Sequence, residues 1–198
     1  MLKLERYRMI FVAVGAIGIL LCGLPLLGLP SLPAGESFSE LYVLGPERML
    51  EGYPFNVKAG ESYLVYLGVI NHVGSSAYYV CIVKLRTQTE SLPDATAGTP
   101  STLEPLYEYR LFLEDGKGWE EPLTFSFSDV SFSDGEALVG SVNLNGVEFE
   151  VDKRAVWDQD ASGYFYELVV ELWRYEAGLG MRFDSRYVRF WLNMTSAN

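Results

Sequence analysis

The sequence predicts an all-β protein: an antiparallel β-sandwich of immunoglobulin-like type, preceded by one N-terminal transmembrane helix. Three observations predict it. From Glu40 onward the apolar residues recur with a period of two, not 3.6. Short apolar runs are punctuated throughout by Gly, Asn, Asp, Ser and Pro, the residues that turn a chain between strands. Before all of this, Met9 to Leu29 runs for 21 residues without a charge. At 1.5 Å per residue that run spans roughly the 30 Å hydrocarbon core of a bilayer.

The N-terminal segment comes first. Lys3, Arg6 and Arg8 precede the apolar run and acidic residues follow from Glu36, so the positive-inside rule places the N-terminus in the cytoplasm and the remainder outside. A cleaved signal peptide is the rival reading. The run exceeds the usual length of a signal core, and no small-x-small cleavage site follows it. A lipoprotein site at Cys22 is disfavoured by Leu21 before it. Pro25, Pro30 and Pro33 end the helix. The expected organisation is therefore a cytoplasmic N-terminus and anchor over 1–30, a linker over 31–39 and an extracytoplasmic domain over 40–195.

Within the domain, Glu61–Val73 is apolar on both faces, as suits a strand inside a sandwich, and Asn71 to Ser76 is turn chemistry. Ala77–Thr87 is the return strand, with Cys81 on a face shared with Tyr79, Val83 and Leu85, which makes it a buried small hydrophobe. Ser91–Thr102 is a loop, and Leu106–Leu113 the next strand. Glu121–Phe132 alternates Leu123, Phe125 and Phe127 against Thr124, Ser126 and Ser128. Leu138–Val142 and Val147–Val151 flank Asn145-Gly146, a strong hairpin signal. The closing pair is the clearest. Tyr166, Leu168, Val170 and Leu172 share one face, with Glu167 and Glu171 on the other; Val188, Phe190 and Leu192 then oppose Arg189 and Trp191.

Several of these stretches resemble a family of uncharacterised, largely archaeal membrane proteins, domain of unknown function 1616. They are ELYVLGPERMLEGYP (Glu40–Pro54), ESYLVYLGVINHVGSSAYYVCIVKL (Glu61–Leu85), WEEPLTFSF (Trp119–Phe127), YFYELVVELWRY and RYVRFWLNMT. The resemblance implies a membrane-attached domain exposed outside the cell and no particular reaction. Family members often carry several transmembrane helices, where this chain has one apolar span.

Charge and composition narrow the function classes. The net charge is −11, split into +2 for residues 1–35 and −13 for the rest. An acidic domain repels phosphate backbones, which argues against a nucleic-acid partner. With Cys22 in the apolar run and Cys81 in a strand, no intramolecular disulfide is expected.

Candidate chemistry is sparse, and neither a cofactor nor a metal is expected. His72 is the only histidine and sits beside Ser75 and Ser76 without a nucleophile elbow, so a solvent-facing turn residue is the expectation. Adjacent acids such as Glu120-Glu121 offer a hydrolase reading, membrane-tethered and acting on polysaccharide, if two carboxylates face each other across a cleft. Asp158-Gln159-Asp160-Ala161-Ser162-Gly163 begins like a calcium loop, but Val169 stands at position twelve. Asn193-Met194-Thr195 is a glycosylation sequon. Trp173, Tyr187, Arg189 and Trp191 share the expected outer face of the last hairpin, an aromatic-plus-arginine set suited to an envelope protein or glycan. The leading expectation is a non-enzymatic cell-surface binding or structural module. A second is a subunit of a larger membrane complex, its helix packed through Ala13, Gly15, Ala16 and Gly18.

Overall fold

The computed structural model describes Tyr7 and residues 37–196, and the expected anchor over 9–29 lies outside the described residues. Among the described residues, no helix is long and apolar enough to cross a membrane.

Ten strands form the domain: β1 (Phe38–Leu44), β2 (Asn56–Lys58), β3 (Ser62–His72), β4 (Ala77–Thr87), β5 (Tyr107–Leu113), β6 (Gly118–Ser133), β7 (Glu136–Leu144), β8 (Val147–Val156), β9 (Phe165–Glu176) and β10 (Gly180–Thr195). They make two five-stranded sheets, ordered β1-β3-β6-β7-β8 and β2-β10-β9-β4-β5. The all-β, two-sheet architecture is the one the period-two pattern predicts. β1 begins at Phe38, inside the stretch expected to be linker.

The alternation decides which face is buried. In the first sheet Val65, Leu67 and Val69 of β3 and Leu123, Phe125 and Phe127 of β6 are all buried, with Val65 directly opposite Leu123. In the second, Tyr79, Cys81, Val83 and Leu85 of β4 lie beside Tyr166, Leu168, Val170 and Leu172 of β9 and Phe190 and Leu192 of β10. These inner faces interdigitate as one apolar core, each large side chain contributing about 1.5–3 kcal/mol by leaving water.

Asn145 (φ 50°) and Gly146 (φ 84°) both adopt the left-handed conformation that a tight β7–β8 turn requires. Every named strand pair is antiparallel except one: β2 runs parallel to the end of β10, Asn56 opposite Asn193. The β9–β10 pairing is broken between Phe183 and Arg186, where Asp184 and Ser185 form a bulge with Ser185 at φ 55°.

Candidate functional site: the outer face of the second sheet

The register of the last hairpin sets Trp191 opposite Glu167, Arg189 opposite Val169, Tyr187 opposite Glu171 and Phe183 opposite Trp173. Trp173, Tyr187, Arg189 and Trp191 therefore do share one face, away from the core. They do not form one open patch. The connection from β4 to β5 crosses this face as a strap, with Ser101 on Glu171 and Ala95 beside Tyr187.

Trp173 and Tyr187 are half-buried. Trp173 donates its indole Nε1–H to Glu171 Oε2 at 3.1 Å. Tyr187 is half-buried in a cavity of about 450 Å³ whose lining includes Ala95 of the strap, Glu40 and Tyr42 of β1, the bulge residue Ser185 and its neighbour Arg186.

Arg189 and Trp191 belong to the open half. Trp191 is 38% exposed, and the Arg189 guanidinium carbon lies 5.7 Å from its ring centroid. Arg189 Nη1 donates to Glu167 Oε1, which fixes the guanidinium against the sheet. Phe165 meets Trp191 edge-on at 6.1 Å, and Phe55 packs on Phe165 at 6.0 Å. Phe55, Phe165, Trp191, Ala161, Gln88 and Asp158 line a shallow cavity of about 370 Å³.

The strap rests on a buried ionic cluster that the pattern of alternation did not single out. Glu167 and Glu171, expected on a polar outer face, are fully buried beneath it, and Lys84 and Arg86 of β4 are buried beside them. Lys84 Nζ donates to Glu171 Oε2 at 2.9 Å. Ser101 of the strap donates to Glu171 Oε1 through its hydroxyl at 2.5 Å and its backbone N–H at 2.9 Å. Arg86 Nη1 donates to Glu167 Oε2 at 2.5 Å, and Arg86 Nε to the Glu90 carbonyl at 2.5 Å. Each buried charge thus has an opposite partner, the condition on which ions tolerate burial. The signal was present in Lys84 and Arg86 on one strand and Glu167 and Glu171 on its neighbour, complementary charges within otherwise apolar runs.

Glu90 ties the near end of the strap. Burial pushes its carboxyl up, but the Lys153 ammonium and the amide and hydroxyl of Thr87 outweigh this and hold it below the usual carboxylate range.

Other sequence candidates resolve differently. Glu120 and Glu121 are neighbours on a strand and project to opposite faces. Glu120 takes the Tyr42 hydroxyl at 3.4 Å and pairs with Arg48 at 3.3 Å, whereas Glu121 is opposite Leu67. The two carboxylates do not confront each other across a cleft. Asp158 spends one oxygen on the N–H groups of Asp160 and Ala161, both at 2.9 Å, and the other on Gln88 at 3.1 Å. The Ala161 N–H and then the Gln88 amide depress its carboxyl, so the loop is a self-satisfied turn. Among the described residues, no three His, Cys, Asp or Glu are grouped to hold a metal.

His72 ends β3 rather than sitting in the turn. It stacks on Phe38 at 4.7 Å and meets Glu40 at 3.0 Å, because β1 pairs there. Asn193 of the sequon donates through Nδ2 to Asn56 at 3.0 Å and accepts from the Tyr164 N–H at 3.1 Å, so a glycan at that nitrogen would displace the β2 contact.

The fold and this face define a two-sheet, all-β domain whose exposed aromatic and arginine side chains sit beside a strap closed over buried ion pairs. The chain belongs to the family described as Domain of unknown function (DUF1616), whose model matches residues 32–132. No curated protein matches the sequence. Among solved structures, a beta-glucosidase from Listeria innocua is 15% identical at a TM-score of 0.41, over 81% of this chain and 16% of that one. A chain of the complex between human zinc 2-glycoprotein and prolactin inducible protein, from seminal plasma, is 10% identical at 0.36, over 83% and 100%. A PapD-like domain of human CEP192 is 9% identical at 0.32, over 86% and 93%. The chain thus spans about a sixth of the beta-glucosidase, at 16% of its length.

Proposed function

We propose that the protein is a membrane-anchored, non-enzymatic surface module of immunoglobulin-like type that holds a protein or glycan of the envelope against Arg189 and Trp191. The carrying observation is the open half of the outer face. Trp191 stands exposed, Arg189 is pinned beside it by buried Glu167, and Phe55 and Phe165 extend the apolar surface around a shallow cavity. An amphipathic ring next to a pre-oriented guanidinium is the type of anchor that dominates recognition surfaces, because little side-chain freedom remains to be lost on binding. The positively flanked apolar run at 9–29 supports an anchor with the acidic domain outside.

A glycan array and an envelope-extract pull-down, each comparing the parent chain with Trp191→Ala, test this reading. Loss of the captured species by roughly 30-fold or more is expected, matching the ~2 kcal/mol of a recognition hot spot. Met49→Ala, on an exposed residue elsewhere, should leave capture unchanged. Capture indifferent to Trp191 removes this surface from the function.

A further inference from the structure

The free edge of β5 is complementary to itself. β5 ends the second sheet with β4 as its only neighbour, so one row of its backbone N–H and C=O groups has no strand beside it among the described residues. On its outer face Glu108, Arg110 and Phe112 alternate, all exposed, Phe112 by 67%. Its inner face is fixed. Tyr109 donates to the Pro122 carbonyl at 2.7 Å, accepts from Asn145 Nδ2 at 2.6 Å and packs edge-on to Trp119 at 5.1 Å. The edge is therefore held rigid by the core behind it.

An isologous contact between two antiparallel β5 strands must keep inner faces with inner faces, so its two-fold axis passes through a residue. Centring on Glu108 opposes two like carboxylates, and centring on Arg110 opposes two guanidinium groups. Centring on Tyr109 sets Glu108 of each copy opposite Arg110 of the other, twice over, with Phe112 opposite Leu106. Opposite charges directly across an antiparallel pair attract, and like charges repel.

The other edges lack this property. β8 carries Glu148, Glu150 and Asp152 and then Lys153 and Arg154, but a bulge with Asp152 at φ 42° interrupts the strand between its acids and its bases. β2 is three residues long, and β1 has Glu40 as its sole charge.

We infer that β5 is a homodimerisation edge, pairing antiparallel about Tyr109 with a second copy of this chain to join two five-stranded sheets into one of ten strands. The Glu108–Arg110 contact seen within one chain, at 2.7 and 3.0 Å, then exchanges for the same contact across the two-fold.

Charge reversal tests the pairing in the full chain, purified in mild detergent and weighed by light scattering. Arg110→Glu gives a chain with two acids on this face and Glu108→Arg a chain with two bases, so each repels itself. Each variant alone should dissociate at a roughly tenfold higher concentration than the parent. An equimolar mixture should recover the parent's dimer, since every cross-strand pair is again opposite in sign. Both side chains are exposed, so neither reversal disturbs the core, and unchanged thermal unfolding of each variant confirms it. A parent chain that is monomeric, a dimer indifferent to the reversals, or a mixture that fails to recover overturns the inference.

Discussion

Asn71 satisfies four groups from full burial. Its Nδ2 donates to the carbonyls of Ser75 at 2.8 Å and Leu113 at 3.0 Å; its Oδ1 accepts from the Val73 N–H and the Tyr79 hydroxyl, both at 3.0 Å. Ser39 of β1 shares the same Tyr79 hydroxyl at 3.0 Å, so one amide links β1, β3, β4 and β5. Asn71→Ala removes all four contacts, and of the groups involved the Tyr79 hydroxyl keeps Ser39. An unmade buried hydrogen bond costs about 1–3 kcal/mol, so a loss of about 2–4 kcal/mol is expected, visible as a lower denaturation midpoint at unchanged slope. This role was not legible in the sequence. Asparagine is so common in turns that Asn71, beside Gly74 and two serines, read as a turn residue, and His72 was misplaced with it. Cys81 was legible, because its neighbours on alternate positions are all apolar. Burial pushes its thiol up to about 12. Since only the thiolate attacks, Cys81 in a Cys22→Ser background should resist alkylation at pH 8 until the domain unfolds globally. Rapid labelling of the native protein would show that the core opens locally.

At the scale of elements, the strap and the two strands beneath it hold each other. Lys84→Met strands the Glu171 carboxylate in the interior, and breaking a buried ion pair from one side costs about 3–5 kcal/mol. Adding Glu171→Leu removes the orphaned charge and should restore part of that loss, though the Ser101 N–H and the Trp173 indole then lack an acceptor. A thermodynamic cycle over the two substitutions measures the coupling. Acid acts on the strap's near end. Glu90 is depressed when folded, so its contribution is present above the ordinary glutamate range near ~4.3 and is lost as pH falls through the folded value. Glu90→Gln should flatten that part of the stability profile, and an unchanged acid limb would show that Glu90 is not its source. The core strands were readable because their alternation is undisturbed, from Leu123 to Phe127 and from Tyr166 to Leu172. The strap was readable only as a loop. The charge pattern of β9 looks like a solvated face, since Glu alternating with aliphatics is the ordinary mark of one, and only the tertiary course of residues 88–106 buries it.

For the molecule as a whole, pairing order was the least legible level, because period two assigns faces without assigning neighbours. The three-residue β2 carries no pattern of its own; its partner is set by Phe55 and Asn56 meeting β10. That pairing joins Asn56 to Asn193, 137 positions apart, and β10 lies between β2 and β9 inside its sheet. The consequence falls on biogenesis. A chain emerging N-terminus first presents β2 and β4 long before the strand that completes their layer. Contacts across such separations form slowly, since closure entropy must be met before any of them stabilises the fold. Until β10 arrives, β9 keeps an open apolar edge, an invitation to other chains. Truncation before Arg186 should therefore give aggregates rather than a shortened folded domain, and a protease pulse during synthesis should find the whole second sheet vulnerable until β10 has been made.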